Sequence, residues 1–270
     1  MRTRVAAISV LCLFVLAAPA RAQYAAKGVS DRATGETYHV EIGGYLWNPT
    51  PDIAITSESL GIVGSRIDFV NDLGIAQTRF KQLKVVLRPG KKHKLRFEFT
   101  PITYDAVGSL KANVIFNGIE FPITLPVATN LQWKAYRFGY EYDFVYRDRG
   151  FAGLILEAKY TRVQATLHNA IDTEFVEARA PIPSIGGIAR VYVAPNISIT
   201  GELSGIKLPD SIDSRYRAKY FDIDIYGTVN FADNLGAQVG YRSFDVLYKV
   251  DDDEGELNLR GLYLGGVVRF

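Results

Sequence analysis

The chain has 270 residues and sets 31 Lys and Arg against 29 Asp and Glu, so the basic footprint of a nucleic-acid binder is absent. Its one Cys, Cys12, falls inside an amino-terminal apolar run; the rest of the chain has no thiol, which excludes disulfides, thiolate metal sites and Cys nucleophiles. Beyond residue 22 no charge-free apolar run approaches the roughly 18 residues of a membrane helix, while 24 Gly, 16 Tyr and 15 Phe suit a chain of strands and turns.

In chain order, Arg2 and Arg4 precede an apolar stretch from Val5 to Ala18, and Ala20-Arg21-Ala22 has the small-x-small form of an export cleavage site. Residues 1–22 are expected to be a cleaved signal peptide. Cys12 lies within it rather than just after the cut, which argues against a lipoprotein. Loss of Arg2, Arg4 and Arg21 leaves 28 basic against 29 acidic residues, a net charge of about −1.

Ten segments of period-two alternation follow, at approximately 36–47, 75–88, 93–105, 129–145, 150–165, 183–194, 197–207, 217–231, 235–249 and 256–270. Four joints are short: Pro89-Gly90-Lys91-Lys92, Arg147-Asp148-Arg149-Gly150, Ala194-Pro195-Asn196 and Ala232-Asp233-Asn234. Each is rich in residues that preset φ or tolerate left-handed geometry. The other joints are stretches 48–74, 106–128, 166–182, 208–216 and 250–255. Asn117-Gly118, between Val114-Ile115-Phe116 and Ile119-Glu120-Phe121, predicts a type I′ hairpin, expected to prolong the wall of strands. Counting it as two spanning strands gives twelve, but no turn would then separate it from 129–145, so the pattern favours ten.

The alternation has two chemistries. Tyr136, Phe138, Tyr140, Tyr142 and Phe144 share one face, as do Leu154, Leu156, Ala158 and Tyr160; the opposite phase carries Arg137, Glu141 and Asp143, then Glu157 and Lys159. A soluble sandwich would bury the apolar stripes between two sheets. A membrane barrel would turn them to lipid and the charged phase to the lumen.

The last segment bears on that choice. Leu262, Leu264, Gly266, Val268 and Phe270 form one stripe beside Tyr263, Gly265, Val267 and Arg269. With its aromatic last residue, the pattern of Tyr263, Gly265, Val268 and Phe270 resembles the terminal strand of Gram-negative outer-membrane β-barrels. The resemblance implies residence in the outer membrane, contact with its lipid and lipopolysaccharide, and a carboxy-terminal signal read by the barrel assembly machinery. Combined with the export segment and the stripes, it leads to an all-β fold: a closed antiparallel up-and-down transmembrane barrel of about ten strands, with eight or twelve as alternatives. Residues 23–35 are then a periplasmic lead-in and 36–270 the barrel, with short turns in the periplasm and long stretches outside. Gly90 to Phe99 and Asp72-Leu73-Gly74 also resemble stretches of a group of proteobacterial outer-membrane barrels, a likeness that implies fold and location and assigns no functional residue.

The inward phase gathers Lys84, Lys94, Arg96, Arg137, Lys159, Arg190, Arg242 and Arg269 with Glu41, Glu98, Glu141, Asp143, Glu157, Glu202, Asp222 and Asp224. Mixed signs in a narrow cavity should pair, because unpaired buried charge is costly, and small barrels have interiors that side chains can fill. A charge-paired, largely closed lumen is therefore expected, with Arg137, Glu141 and Asp143 as the first cluster to test. The expected role is structural, adhesive or narrow transport, with a selective small-solute channel as the alternative, and the favoured state is a monomer.

On the lipid-facing phase, Arg79, Lys81, Lys134, Arg162, Arg217, Lys219 and Arg260 fall near the outer strand ends, at headgroup height. They are candidate contacts to lipopolysaccharide phosphate; the competing reading is that strands become polar where lipid stops. His168, with Asn169 and Asp172 nearby and Asp210 and Asp213 on another loop, is the one constellation with acid–base potential. Its spacing does not match the omptin proteases and no His-x-Ser pair suits a barrel lipase, so no catalytic residue is assigned and an outer-membrane hydrolase stays a further alternative. Asp251-Asp252-Asp253-Glu254 lacks calcium-loop spacing, and no cofactor or metal motif is present.

Overall fold

A computed structural model describes residues 33–270 apart from 57, 60–61, 112, 208–215 and 251–252. The expected signal peptide, most of the lead-in, Asp210, Asp213, Asp251 and Asp252 lie outside the described residues. Fifteen strands follow in chain order. They are β1 (Val40–Thr56), β2 (Glu58–Ser59), β3 (Ile62–Val63), β4 (Ile67–Asp68), β5 (Phe80–Gly90), β6 (His93–Ser109), β7 (Val114–Phe116), β8 (Ile119–Phe121), β9 (Pro126–Arg147), β10 (Gly150–His168), β11 (Thr173–Ala194), β12 (Ile197–Lys207), β13 (Tyr216–Ala232), β14 (Leu235–Val250) and β15 (Asp253–Arg269).

Ten of these form a closed antiparallel ring in the order β1-β5-β6-β9-β10-β11-β12-β13-β14-β15, and β15 returns to pair with β1 from Glu41↔Arg269 to Thr56↔Glu254. Closure satisfies every edge, which is the condition for strands to cross lipid. The alternating sequence sorts itself across the wall. On β10, Leu154, Leu156 and Tyr160 are exposed while Ile155, Glu157 and Lys159 are buried; on β15, Leu262, Leu264 and Phe270 are exposed while Tyr263 and Val267 are buried. An apolar exterior around a polar interior is the arrangement of a membrane barrel and the inverse of a sandwich. The four short joints are Lys91-Lys92, Asp148-Arg149, Pro195-Asn196 and Asp233-Asn234, and each has a ladder irregularity beside it, where an extra residue accommodates the tight reversal.

Two outer segments differ from the sequence expectation. Stretch 166–182, read as a loop, is mostly strand: β10 and β11 pair continuously from Gly150↔Val191 to His168↔Thr173, leaving only 169–172 as connection. Pro181 and Pro183 lie inside β11 opposite Tyr160 and Ala158. Proline donates no hydrogen bond and belongs on an unpaired strand side. That condition is met here, because β12 leaves β11 at Ile185↔Gly205 and among the described residues Thr173–Ser184 pairs with β10 alone.

The Asn117-Gly118 hairpin forms as a type I′ signal requires, with φ of 50° and 81°. It does not prolong the wall. Strands β7 and β8 make their own two-stranded sheet, with Phe116 and Phe121 buried in the same apolar cluster as Phe69, Leu73 and Ile75 of the first outer segment. Backbone and side-chain bonds between Ser65 and Ile115 tie the two segments together. Both flanks of the hairpin carry an aromatic on the buried side, and burying two Phe rings outweighs continuing two ladders into water.

Candidate functional site

The lumen is built in three levels. At the end with the short turns, the segment before β1 crosses beneath the ring: Ala33, Thr34 and Gly35 donate backbone bonds to Asp148, Pro195 and Asp233, one in each of three short turns. Glu36 then reaches Arg190 Nη1 at 2.8 Å and the Tyr192 hydroxyl at 2.8 Å, while Arg88 donates to its carbonyl. This floor was invisible in the sequence because Thr34 to Glu36 has no alternation; its polar residues find partners only after the turns are brought together.

Above the floor lies the ionic layer. Every inward-phase charge named from the sequence is buried or nearly so, and the pairs join facing strands and neighbouring strands, with one, Lys159–Glu157, along a single strand. Lys84 on β5 meets Asp224 on β13 at 2.8 Å, and Arg96 on β6 bridges Glu141 and Glu202, each at 2.6 Å. Arg242 on β14 holds Asp222 at 2.7 Å and also pairs with Glu98 on β6. Lys94 takes Glu141 at 2.6 Å and Asp143 at 2.9 Å with its ammonium 3.6 Å from the Phe151 ring centre. Arg269 pairs with Glu41 at 2.5 Å and Arg190 with Glu36. Lys159 pairs with Glu157 at 3.0 Å beneath the Tyr220 ring. Tyr263 and Tyr226 add hydroxyl bonds to Asp224 and Glu202.

The expected grouping of Arg137 with Glu141 and Asp143 does not form. Arg137 pairs with Glu157 and lies 3.4 Å from both Glu98 and Asp222. Glu141 and Asp143 lie four and six residues further along β9, about 13 and 20 Å away at about 3.3 Å per residue, so the guanidinium is satisfied by neighbouring and facing strands instead. Two voids within the layer measure about 30 Å³ each, room for isolated waters and not for a continuous aqueous path.

The outer half of the lumen is apolar, which the charge pattern alone did not indicate. Trp47, Trp133, Phe244 and Tyr220 cover the ionic layer, with Trp133 and Phe244 ring centres 5.0 Å apart. Beyond them is a cavity of about 670 Å³ whose lining includes Ile53, Leu131, Trp133, Val163, Ile182 and Leu257. Its border carries Glu177 and Arg179 of β11, Arg217 of β13, Lys249 of β14 and Asp253 and Glu256 of β15. The sequence signal for this level lies in the inward phase itself, which changes from charged to apolar toward the outer end: Arg137, Ala135, Trp133, Leu131 on β9 and Arg242, Phe244, Val246 on β14.

Outside the wall, Lys81, Lys134, Arg217, Lys219 and Arg260 are exposed on the lipid-facing phase; Arg79 is exposed just before β5 and Arg162 is half-buried. Lys219 is paired with Asp245 at 2.7 Å, Arg162 with Glu177 at 2.8 Å, and Arg260 donates to Asn258. Lys134, Arg162 and Arg179 face one another directly across β9, β10 and β11. Arg179 escaped the sequence reading because it fell in the stretch taken for a loop. His168 bonds Thr173 at 2.6 Å, and Asn169 is engaged with the backbone of Ile171 and Asp172, so no acid–base pair gathers there among the described residues. His39 immediately precedes β1 and His93 opens β6, both at the end with the short turns. Among the described residues no cluster of His, Cys, Asp and Glu is arranged to hold a metal ion.

No family model and no curated protein matches the chain. Solved structures do. The outer membrane protease OmpT from Escherichia coli aligns with a TM-score of 0.59 at 10% identity, covering 90% of this chain and 99% of that one. An outer membrane channel from Pseudomonas putida F1 aligns at 0.41 and 11%, covering 91% and 100%, and Neisserial surface protein A at 0.37 and 14%, covering 86% and 97%. At such identities the likeness concerns the fold alone. The fold and its apolar exterior define the class: a ten-stranded transmembrane β-barrel of the Gram-negative outer-membrane type.

Proposed function

We propose that this barrel is a sealed surface protein with a structural or adhesive role, resident in the outer membrane as a monomer, and not a diffusion pore. The observation that carries the reading is the set of ion pairs spanning the lumen above a floor made by the chain's own lead segment. Opening a path would require separating several buried pairs at once, each costing about 3–5 kcal/mol when one partner is left alone. Narrow transport or a selective channel would need that rearrangement, and a hydrolase would need a base that His168, engaged with Thr173, does not supply. The test is single-channel recording in planar bilayers with the purified barrel. No discrete openings are expected; stable nanosiemens steps would refute the proposal.

The wall cations support a second reading, contact with lipopolysaccharide phosphate. Like charges directly opposed across strands repel, and the row Lys134, Arg162, Arg179 has one nearby carboxylate, Glu177, shared by the two arginines. A bridging phosphate would relieve that surplus through charge-assisted bonds. Charge reversal of Lys134 and Arg179 should lower co-purified lipopolysaccharide, whereas unchanged lipid content would refute specific contact. The terminal Phe270, exposed at the end of β15, is the expected contact for the assembly machinery.

A further inference from the structure

We infer that the outer cavity is a binding site for an anionic amphiphile with a single hydrocarbon chain, its tail in the cavity and its head at Arg217 and Lys249. This goes beyond the sealed-barrel reading, since a blind cavity above a closed layer can bind without conducting.

Three independent observations point to this occupant. The cavity's volume, about 670 Å³, falls within the range of about 300–1,000 Å³ typical of small-molecule sites. It is far larger than the voids below it, and its lining is aliphatic and aromatic. Within that lining, the Trp133 indole N–H is buried and has no hydrogen-bond partner among the described residues. An unmatched buried donor is costly, and an acceptor oxygen carried by the occupant would satisfy it.

The border supplies the third observation. Arg217 and Lys249 stand directly opposite each other on β13 and β14, with Glu254 across from Lys249 on β15, so this row of the border carries one more cation than its facing carboxylate offsets. Among the described residues neither forms an ion pair or side-chain hydrogen bond: Glu177 serves Arg162 and Arg179, and Glu256 serves Arg66. Both line the cavity. Among the described residues the stretch of β11 beside the cavity pairs with β10 alone.

The site can be read with its own fluorophore. The chain has two Trp, so Trp47→Phe leaves Trp133 as the only emitter. The barrel is reconstituted in phosphatidylcholine vesicles and titrated with dibromostearate, a bromine-quenching single-chain acid. Quenching should saturate. Val163→Phe with Leu257→Phe, which fill the cavity, and separately Arg217→Glu with Lys249→Glu, which reverse its border, should each raise the half-saturating concentration about tenfold. Retained compact mobility in cold SDS shows that each variant is folded, and the border pair, being outside the apolar cluster, decides the matter if the filled variant fails to fold. Quenching that rises linearly and equally in all proteins would mean bulk partitioning and overturn the inference. Equal saturable quenching by brominated phosphatidylcholine would overturn the single-chain assignment, and indifference to charge reversal would overturn the anionic head.

Discussion

Arg242 is the place to ask whether the ionic layer is dry. Its guanidinium donates Nε to Asp222 Oδ1 at 3.0 Å, Nη2 to Asp222 Oδ2 at 2.7 Å and Nη1 to Glu98, with the side chain 5% exposed and 5.6 Å from the Trp47 ring centre. Arg242→Met keeps the bulk of the side chain and deletes three charge-assisted bonds, each worth about 1.5–3 kcal/mol in isolation. The full sum will not appear, because Arg137 already lies 3.4 Å from both Glu98 and Asp222 and Lys84 lies 4.0 Å from Glu98, so these cations partly compensate. What remains is one carboxylate too many in a closed layer, about 3–5 kcal/mol. Adding Asp222→Asn restores the balance and should recover more than half of the loss. The assay is urea unfolding in lipid vesicles followed by Trp emission, with Trp47 as the reporter beside the mutated site. In a water-filled lumen the pair would behave like a surface ion pair, worth about 0–1 kcal/mol. A single-variant loss in that range, with Asp222→Asn adding to it rather than offsetting it, would refute the dry-layer argument.

Other perturbations test other levels of the molecule. Glu36→Ala removes the carboxylate that joins Arg190, Tyr192 and Arg88 under the ring; it should cost about 3 kcal/mol and speed amide exchange at Thr34 and Gly35, and unchanged exchange would show that the floor does not depend on Glu36. Gly240→Val places a β-carbon 2.6 Å from the Tyr263 ring and 2.7 Å from Tyr226 Cβ, so Tyr263 must leave Asp224; an overpacking loss of about 1–3 kcal/mol is expected in the same urea assay. Deleting Phe270 should leave refolding into vesicles intact while lowering the fraction of heat-modifiable barrel recovered from cell envelopes, and equal recovery would dismiss the assembly-signal reading.

The barrel was legible because its rule is local: a two-residue period with one greasy and one ionic phase can be read strand by strand, and Leu154, Glu157 and Tyr160 reveal their faces without knowledge of any neighbour. What failed to show in the sequence depends on who sits opposite. Arg137 was grouped with Glu141 by proximity along the chain, whereas its partners Glu157, Glu98 and Asp222 come from three other strands, and register between distant strands has no local signature. The strand character of 173–182, within a stretch that reads as a joint, is hidden for the same reason. Two prolines in one strand are compatible with a ladder only if one side is unpaired, and that side is decided by where β12 stops following β11.

The same contrast explains why the lumen changes character along its length. A layer of fixed charges is stable in a narrow interior only when each sign has a partner within reach, and ten strands bring facing walls close enough for Lys84 to touch Asp224 and Arg96 to touch Glu202. Continuing that layer outward would demand pairs where β11 stands partly alone, and an incomplete pair is worse than an apolar wall. The inward phase turns to Trp133, Leu131 and Val246 at that level, so the loss of charge coincides with the loss of one ladder. The apolar cavity is thus where the described ladder, paired on one side only along part of β11, can keep an interior without stranding a charge, and the Trp133 N–H is a buried polar atom of that lining with no hydrogen-bond partner among the described residues.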